Sequence, residues 1–326
     1  MTKIAFVFAL VVSVLVCLLP AAPAQAAAAR TFVSAAGSDA NNCANVATPC
    51  RHFAAAYAAT APNGEIFVLD PANYGSLTIT GPVSIEGHDW ASVAPPTDGN
   101  AITINANPGD SINIRGVSLN GTGITGNTNG IVFNSGGSLT VTDCVVQNFT
   151  TTNIGDPTKG NGILLQPTAG TINFSIVNTI VRNNGYVGIS YLLLSGTAAA
   201  NGAIDRAVVT NNKYGIAIET PVGSGSTAVA ISNSIADSNS LSGIEIISGS
   251  AALAVSIDNT SSSGNGAGIQ ASNSPNVYLG RSVITANSGD GITNATGANT
   301  FYTYQDNRIN GNGTDISSPL NSLALH

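Results

Sequence analysis

The stretch Asn183-Asn184-Gly185-Tyr186-Val187-Gly188-Ile189 is followed by Asn211-Asn212-Lys213-Tyr214-Gly215-Ile216, Asn239-Ser240-Leu241-Ser242-Gly243-Ile244, Asn265-Gly266-Ala267-Gly268-Ile269 and Asn287-Ser288-Gly289-Asp290-Gly291-Ile292. Gly-Ile pairs begin at Gly130, Gly162, Gly188, Gly215, Gly243, Gly268 and Gly291, in steps of 32, 26, 27, 28, 25 and 23 residues. Recurrence in that range is the signature of a solenoid. Within one repeat, Ile172-Asn173-Phe174-Ser175-Ile176, Thr179-Ile180-Val181 and Gly188-Ile189-Ser190-Tyr191 read as three short strands bounded by Asn, Gly and Ser. Such coils stack into a parallel β-helix, each strand pairing with its copy one coil later at roughly 4.8 Å, and parallel crossovers favour right-handed winding. The spacing of leucine-rich repeats and the six-residue period of left-handed hexapeptide helices are both missing. The expected fold is all-β: a right-handed parallel β-helix solenoid of about nine coils of three short strands, with a short N-terminal capping helix.

Composition agrees with stacked strands. The chain is 43% hydrophobic but only 8% charged, against about 25% charged in an average globular domain. Uncharged Asn, Ser and Thr must therefore cover the surface, and these can hydrogen-bond to their copies above and below, where like charges would repel. Working outward from the repeat, residues 1–26 read as a signal peptide: Lys3, an apolar run from Ile4 to Leu19, and the small-x-small site Ala24-Gln25-Ala26. Residues 27–65 form an N-terminal segment, 66–316 the β-helix and 317–326 a C-terminal tail. Removing the signal leaves 9 basic against 17 acidic residues, a net charge of −8, which speaks against nucleic acid as a partner. No second long apolar stretch follows, so no membrane association is expected after signal removal, and the localisation is secreted, extracellular or periplasmic.

Three cysteines remain. Cys43 and Cys50 flank a six-residue loop in a chain read as exported, and a disulfide between them is expected. Cys144 lies inside a repeat and reads as a small buried hydrophobe. Thr48 and Pro49 suggest the N-cap and first position of a helix running to about Ala61, with Phe53 and Tyr57 on one face as a plug for the open end of the solenoid.

The phrase Val-x-Asn-Asn-x-x-Gly-Ile, as in Val209-Thr210-Asn211-Asn212-Lys213-Tyr214-Gly215-Ile216, resembles the repeat of right-handed parallel β-helix proteins of the pectate-lyase-like superfamily. The resemblance covers roughly Ile66 to Ile316. The segment from Arg30 to Gly75 is similar to the opening of secreted bacterial members, most without an assigned function. Members acting on acidic polysaccharides carry their catalytic groups on the outer face of one sheet, and the resemblance places any chemistry there.

That face can be read from the repeat. If each Ile of a Gly-Ile pair points inward, the next residue points out, giving Val132, Leu164, Ser190, Ala217, Glu245, Gln270 and Thr293. One carboxylate in seven positions shows neither the carboxylate cluster and cationic base of a calcium-dependent lyase nor the paired carboxyls of a glycoside hydrolase. A second ladder, Arg115, Asp143, Asn178, Arg206, Asn233, Asn259, Arg281 and Asp306, falls in equivalent turns, and its charges read as salt bridges between neighbouring coils. The richest patch combines the longer loop from Phe149 to Asn161, with Asp156 and Lys159, and the next turns, with Arg182, Tyr186, Tyr191, Lys213 and Tyr214. Aromatic rings beside charged hydrogen-bonding groups suit a sugar. With Glu245, these form the candidate ligand-binding set. The sequence reading is a secreted, non-catalytic binder of extracellular or cell-wall polysaccharide. A polysaccharide lyase or glycoside hydrolase acting on an acidic polysaccharide and a structural surface protein or adhesin are the alternatives. No metal or cofactor is called for, calcium belonging only to the lyase alternative, and nothing in the sequence sets the oligomeric state.

Overall fold

The computed structural model describes residues 27–221, 223–249, 252–295 and 300–324; the expected signal peptide, 1–26, lies outside them. Every strand pair is parallel, and successive coils stack in register, so that Ile102, Ile131, Ile163, Ile189, Ile216, Ile244, Ile269 and Ile292 form one continuous inner column. The result is a parallel β-solenoid of about nine turns, consistent with a right-handed β-helix. One face is a ten-stranded sheet built from the Gly-Ile strands, running from Leu77–Ile79 to Thr314–Ile316. The other two faces count as a single sheet because Val83–Val93 and Ser111–Asn120 pass round their shared corner and pair on both sides of it.

The repeated phrase divides its work among four residues. In Asn183-Asn184 and Asn211-Asn212 the first Asn takes the left-handed conformation, φ 57° in both, which Asn tolerates better than other side chains. That turn aims the second Asn into the lumen, where Asn184, Asn212, Asn239, Asn265 and Asn287 are at most 4% exposed. Each of these donates its side-chain N–H₂ and its backbone N–H to the side-chain carbonyl of the next. The ladder runs Asn184 to Asn212 at 3.0 Å, Asn212 to Asn239, Asn239 to Asn265 and Asn265 to Asn287 at 3.1 Å, and Asn287 to Asn312 at 2.8 Å. The glycine of Gly-Ile is not a turn residue. It lies in the strand and faces inward: a Cβ at Gly188 would sit 2.4 Å from Val209 Cγ1 and 2.8 Å from the Gly215 carbonyl oxygen. Substituting Gly188→Ala is expected to cost ~1–3 kcal/mol through overpacking. Gly81→Ala, whose Cβ would meet only the Tyr57 hydroxyl at 3.6 Å, is expected to be near neutral; urea melts of the two variants check the contrast.

The first corner holds a second stack. The residue in the left-handed conformation there is Gly116, Asp143, Asn178, Arg206, Asn233, Asn259, Arg281 or Gln305. Arg115 and Asp306 therefore fall one residue beside the ladder position read from the sequence, because strand pairing sets Arg115 opposite Thr142 and an extra residue enters the last turn. The charges are structural: Arg115 Nε pairs with Asp143 at 3.1 Å, and Arg281 pairs with Asp258 rather than with Asp306. Just inside this corner, Ser234, Thr260 and Ser282 form a buried hydroxyl stack, which Ala207 separates from the buried Thr179. Cys144 occupies the same rung, fully buried, its thiol pushed up to about 12 by burial, which leaves it a packing residue.

At the N-terminal end, Cys43 and Cys50 form the expected disulfide, with Cα atoms 5.0 Å apart. The strand Ala28–Val33 pairs in parallel with Thr60–Val68, so the N-terminal segment supplies a rung of its own. The helix is shorter than read from the sequence, Phe53–Ala59, with His52 rather than Thr48 at its N-cap. The reason is local: the turn around Thr48 and Pro49 belongs to the disulfide loop, the Asp39 carboxylate holds the entry by accepting the backbone N–H groups of Arg51 and His52, both at 2.9 Å, and the first helical N–H, of Phe53, donates to the Tyr74 carbonyl at 3.0 Å. Phe53 and Ala56 are fully buried in the core at this end.

Candidate active site on the outer sheet face

The ten-stranded sheet places the residues after the inner isoleucines in one row: Val132, Leu164, Ser190, Ala217, Glu245, Gln270 and Thr293 are mutual register partners. Reading only that row hid a carboxylate. Strand Tyr214–Thr220 carries a second outward residue two positions on, Glu219, opposite Ile247 of strand Ser242–Ser248. Glu219 and Glu245 thus lie diagonally on adjacent strands. An offset of one strand spacing and two residues puts their Cα atoms roughly 8 Å apart.

Near the pair, close enough to act on it electrostatically, are two tyrosines and a lysine. The Tyr186 and Tyr214 rings meet edge to face at 5.6 Å between centroids, and the Lys213 ammonium sits 4.8 Å from the centre of the first ring and 5.7 Å from that of the second. All three come from the turns that precede the Gly-Ile strands. The turn backbone is fixed by bonds from the Lys213 and Tyr214 N–H groups to the Tyr186 carbonyl, at 3.0 and 3.2 Å. Both carboxylates are half-buried, and among the described residues neither accepts a hydrogen bond. Burial lifts Glu219 above the ordinary glutamate range. Burial, reinforced by the Glu219 charge and opposed by Lys213, pushes Glu245 up to about 7. Burial, then the nearby carboxylates, also raises Tyr186 and takes Tyr214 to about 12. Four groups influencing one another in this way form a single electrostatic cluster.

The expected set is only partly assembled here. Glu245, Tyr186, Lys213 and Tyr214 come together. Tyr191 does not: it points into the lumen, 0% exposed and stacked on Phe174 at 5.9 Å, because it lies two residues beyond Ile189 and shares its inward parity. Arg182 belongs to the neighbouring face, its Nε donating to Gln147 Oε1 at 3.0 Å. Asp156 holds its own loop, accepting the Thr158 N–H at 2.9 Å and hydroxyl at 2.6 Å, with Lys159 its electrostatic neighbour. Among the described residues no hydrogen bond, ion pair or ring contact joins Asp156, Lys159 or Arg182 to the tyrosine pair. Nor, among those residues, do three or more His, Cys, Asp or Glu side chains gather where they could hold a metal ion.

No family model and no curated protein matches this chain. Among solved structures it is similar to the pectate lyase Pel9A, with a TM-score of 0.54 and 14% identity over 91% of this chain and 78% of that one. This is the pectate-lyase-like fold. The A-module of the mannuronan C-5 epimerase AlgE4 from Azotobacter vinelandii is a more distant match, with a TM-score of 0.46 and 13% identity over 81% of this chain and 91% of that one. At these identities the likeness speaks for architecture. Among the described residues no helix of this chain is long and apolar enough to cross a membrane, and its disulfide fits an extracellular protein.

Proposed function

We propose that this protein hydrolyses glycosidic bonds in an extracellular polysaccharide, with Glu245 as general acid and Glu219 as general base. The observation that carries the reading is the diagonal pair of half-buried outward carboxylates near two tyrosine rings. Hydrolysis needs one carboxyl that holds a proton and one that releases it, and unequal environments separate the two roles. Glu245 stays protonated to about pH 7, while Glu219 carries the lesser shift. The tyrosine faces offer a sugar's C–H surface a place to stack, and Lys213 can donate to its hydroxyls. With Glu245 protonated, Glu219 and Lys213 balance, so the site offers no surplus positive charge to draw a polyuronate, and a neutral glycan is favoured. That Pel9A is a pectate lyase and AlgE4 a mannuronan epimerase adds that this architecture serves polysaccharide chemistry in other proteins.

In the proposed step the Glu245 carboxyl gives its proton to the glycosidic oxygen as the bond from that oxygen to the anomeric carbon breaks. A water attacks the anomeric carbon from the other side and loses a proton to Glu219. One water is consumed, and the proton returns to Glu245 through solvent. An inverting step needs carboxyl groups about 6.5–9.5 Å apart to admit that water, and NMR of the first sugar released is expected to show the inverted anomer.

The test is a panel of neutral polysaccharides (xylan, mannan, β-glucan, arabinan) and acidic ones (pectate, alginate, hyaluronan), followed by reducing-end release and by absorbance of unsaturated products. Release of reducing ends without unsaturation is expected, with Glu245→Gln and Glu219→Gln each lowering kcat by about 10²–10⁴ and the rate falling above pH 7. Unsaturated products would instead make the site a lyase. If no polysaccharide is cut, yet glycan binding is lost in Tyr186→Ala plus Tyr214→Ala, the hydrolase reading gives way to a non-catalytic binder.

A further inference from the structure

Resting on the hydrolase reading, we infer that this site acts at the end of a glycan chain and not in its interior, because the outward row that contains Glu245 is buried on one side of it and open on the other. The outward row that contains Glu245 is uneven along the solenoid. Val132, Leu164, Ser190 and Ala217 are 3%, 0%, 1% and 0% exposed although they point away from the lumen. Val132, Leu164 and Leu192 pack into a small apolar cluster of their own, separate from the main core. A side chain on the outer face of a solenoid is buried only where other chain lies across it. On that flank the long loop of residues 149–161 is tied down: the Asn129 side chain donates to the Thr158 carbonyl at 3.0 Å, the Gly160 N–H to the Thr128 carbonyl at 3.0 Å, and the Tyr186 N–H to the Gly160 carbonyl at 2.9 Å. The last of these bonds links the loop directly to the turn that carries one of the two site rings.

Toward the C-terminus the same row opens. Glu245, Gln270 and Thr293 are partly exposed, and a shallow groove of about 440 Å³ runs past Tyr214, Leu241, Gln270, Asp290 and Thr293. Glu219 and Glu245 stand where the covered half meets the open half. A polysaccharide lying in this groove along the solenoid axis can extend over the C-terminal coils, but meets packed side chains at the rung of Ser190 and Ala217. Only a chain end fits, so each cleavage removes a short terminal fragment.

The experiment uses hexasaccharides of xylose, mannose, glucose and arabinose labelled fluorescently at the reducing end, with viscosity of the parent polymers measured alongside. A single short product at early times, and little loss of viscosity per reducing end released, are expected. Random internal cuts with a rapid fall in viscosity would overturn this inference and leave the hydrolase reading standing, whereas no cleavage of any substrate would overturn both. Replacing residues 152–158 by two glycines should shift products toward internal cuts. Should that variant not fold, Thr293→Trp serves instead: a bulky ring in the open half should lower kcat/KM on the hexasaccharide at least tenfold, and an unchanged value would overturn the assigned direction.

Discussion

At pH 8 the Glu245→Gln protein is expected to be more stable than the parent by about 2–3 kcal/mol, and the difference should vanish by about pH 4. The sign follows from burial. Glu245 titrates at about 7 in the folded chain against an ordinary value of 4.5, so the folded state holds a proton that the unfolded state gives up earlier. Stability contributed by that group is therefore complete below the ordinary value and is lost progressively between about pH 4.5 and 7, the reverse of an ion-paired carboxylate. A shift of this size corresponds to about 3 kcal/mol, reduced somewhat because the side chain is only partly shielded from solvent. Glu219 is displaced in the same direction, so the parent declines further than Glu245 alone would make it. The opposite trend comes from Asp143, Asp205 and Asp258, which hydrogen bonds and arginines hold below the usual range and which cost stability only in acid. Comparing variant with parent at each pH cancels that common background. Urea melts from pH 4 to 8 check the result, and a Gln variant no more stable than the parent at pH 8 would mean that Glu245 is solvated like any surface glutamate.

Burial at such a cost is what the proposed acid and base require, and the sequence disclosed half of that pair. The Gly-Ile period located the inner column, and one step of strand parity placed Glu245 outside it, as the register bears out. Glu219 needed one further step: Ile216 in, Ala217 out, Ile218 in, Glu219 out. The missing signal was the length of the strand, since Tyr214–Thr220 runs four residues past the isoleucine. Parity also moves Tyr191 inward, although its closeness in sequence to Tyr186 suggested a shared surface. Arg182 was misplaced for another reason: the left-handed Asn183 turns the chain through a corner, so residues four apart face different sides of the solenoid. What sequence spacing could not show was which part of the outer face is covered. Burial there is a tertiary property, and no local pattern in Val132 or Leu164 announces it.

Asn239→Ala should damage the solenoid severely, lowering stability by on the order of 3–4 kcal/mol. The Asn239 side-chain oxygen accepts both the backbone N–H of Asn212 at 3.0 Å and its side-chain N–H₂ at 3.1 Å, while its own N–H₂ donates to Asn265 at 3.1 Å and to the Val209 carbonyl at 3.2 Å. Alanine makes none of these bonds, and the site is 1% exposed, so the Asn212 backbone N–H loses its acceptor and the Val209 carbonyl a donor, while Asn265 Oδ1 keeps the backbone N–H of residue 239 and the Asn212 N–H₂ keeps the Val181 and Thr210 carbonyls. Each unsatisfied buried group costs about 1–3 kcal/mol, though relaxation of the neighbouring rungs keeps the sum below the total. Because each coil contacts only its neighbours, the damage should concentrate between the coils of Asn212 and Asn265. Amide hydrogen exchange checks this: protection should fall for Asn212, Asn239 and Ile244 while the distant coils around Ile85 and Ile104 keep theirs. Asn211→Ala provides the contrast, since Asn211 is exposed and supplies only the left-handed turn, φ 57°, at a cost of about 1 kcal/mol. Equal losses in the two variants would mean that the first Asn of the phrase, and not the buried ladder behind it, holds the coils in register.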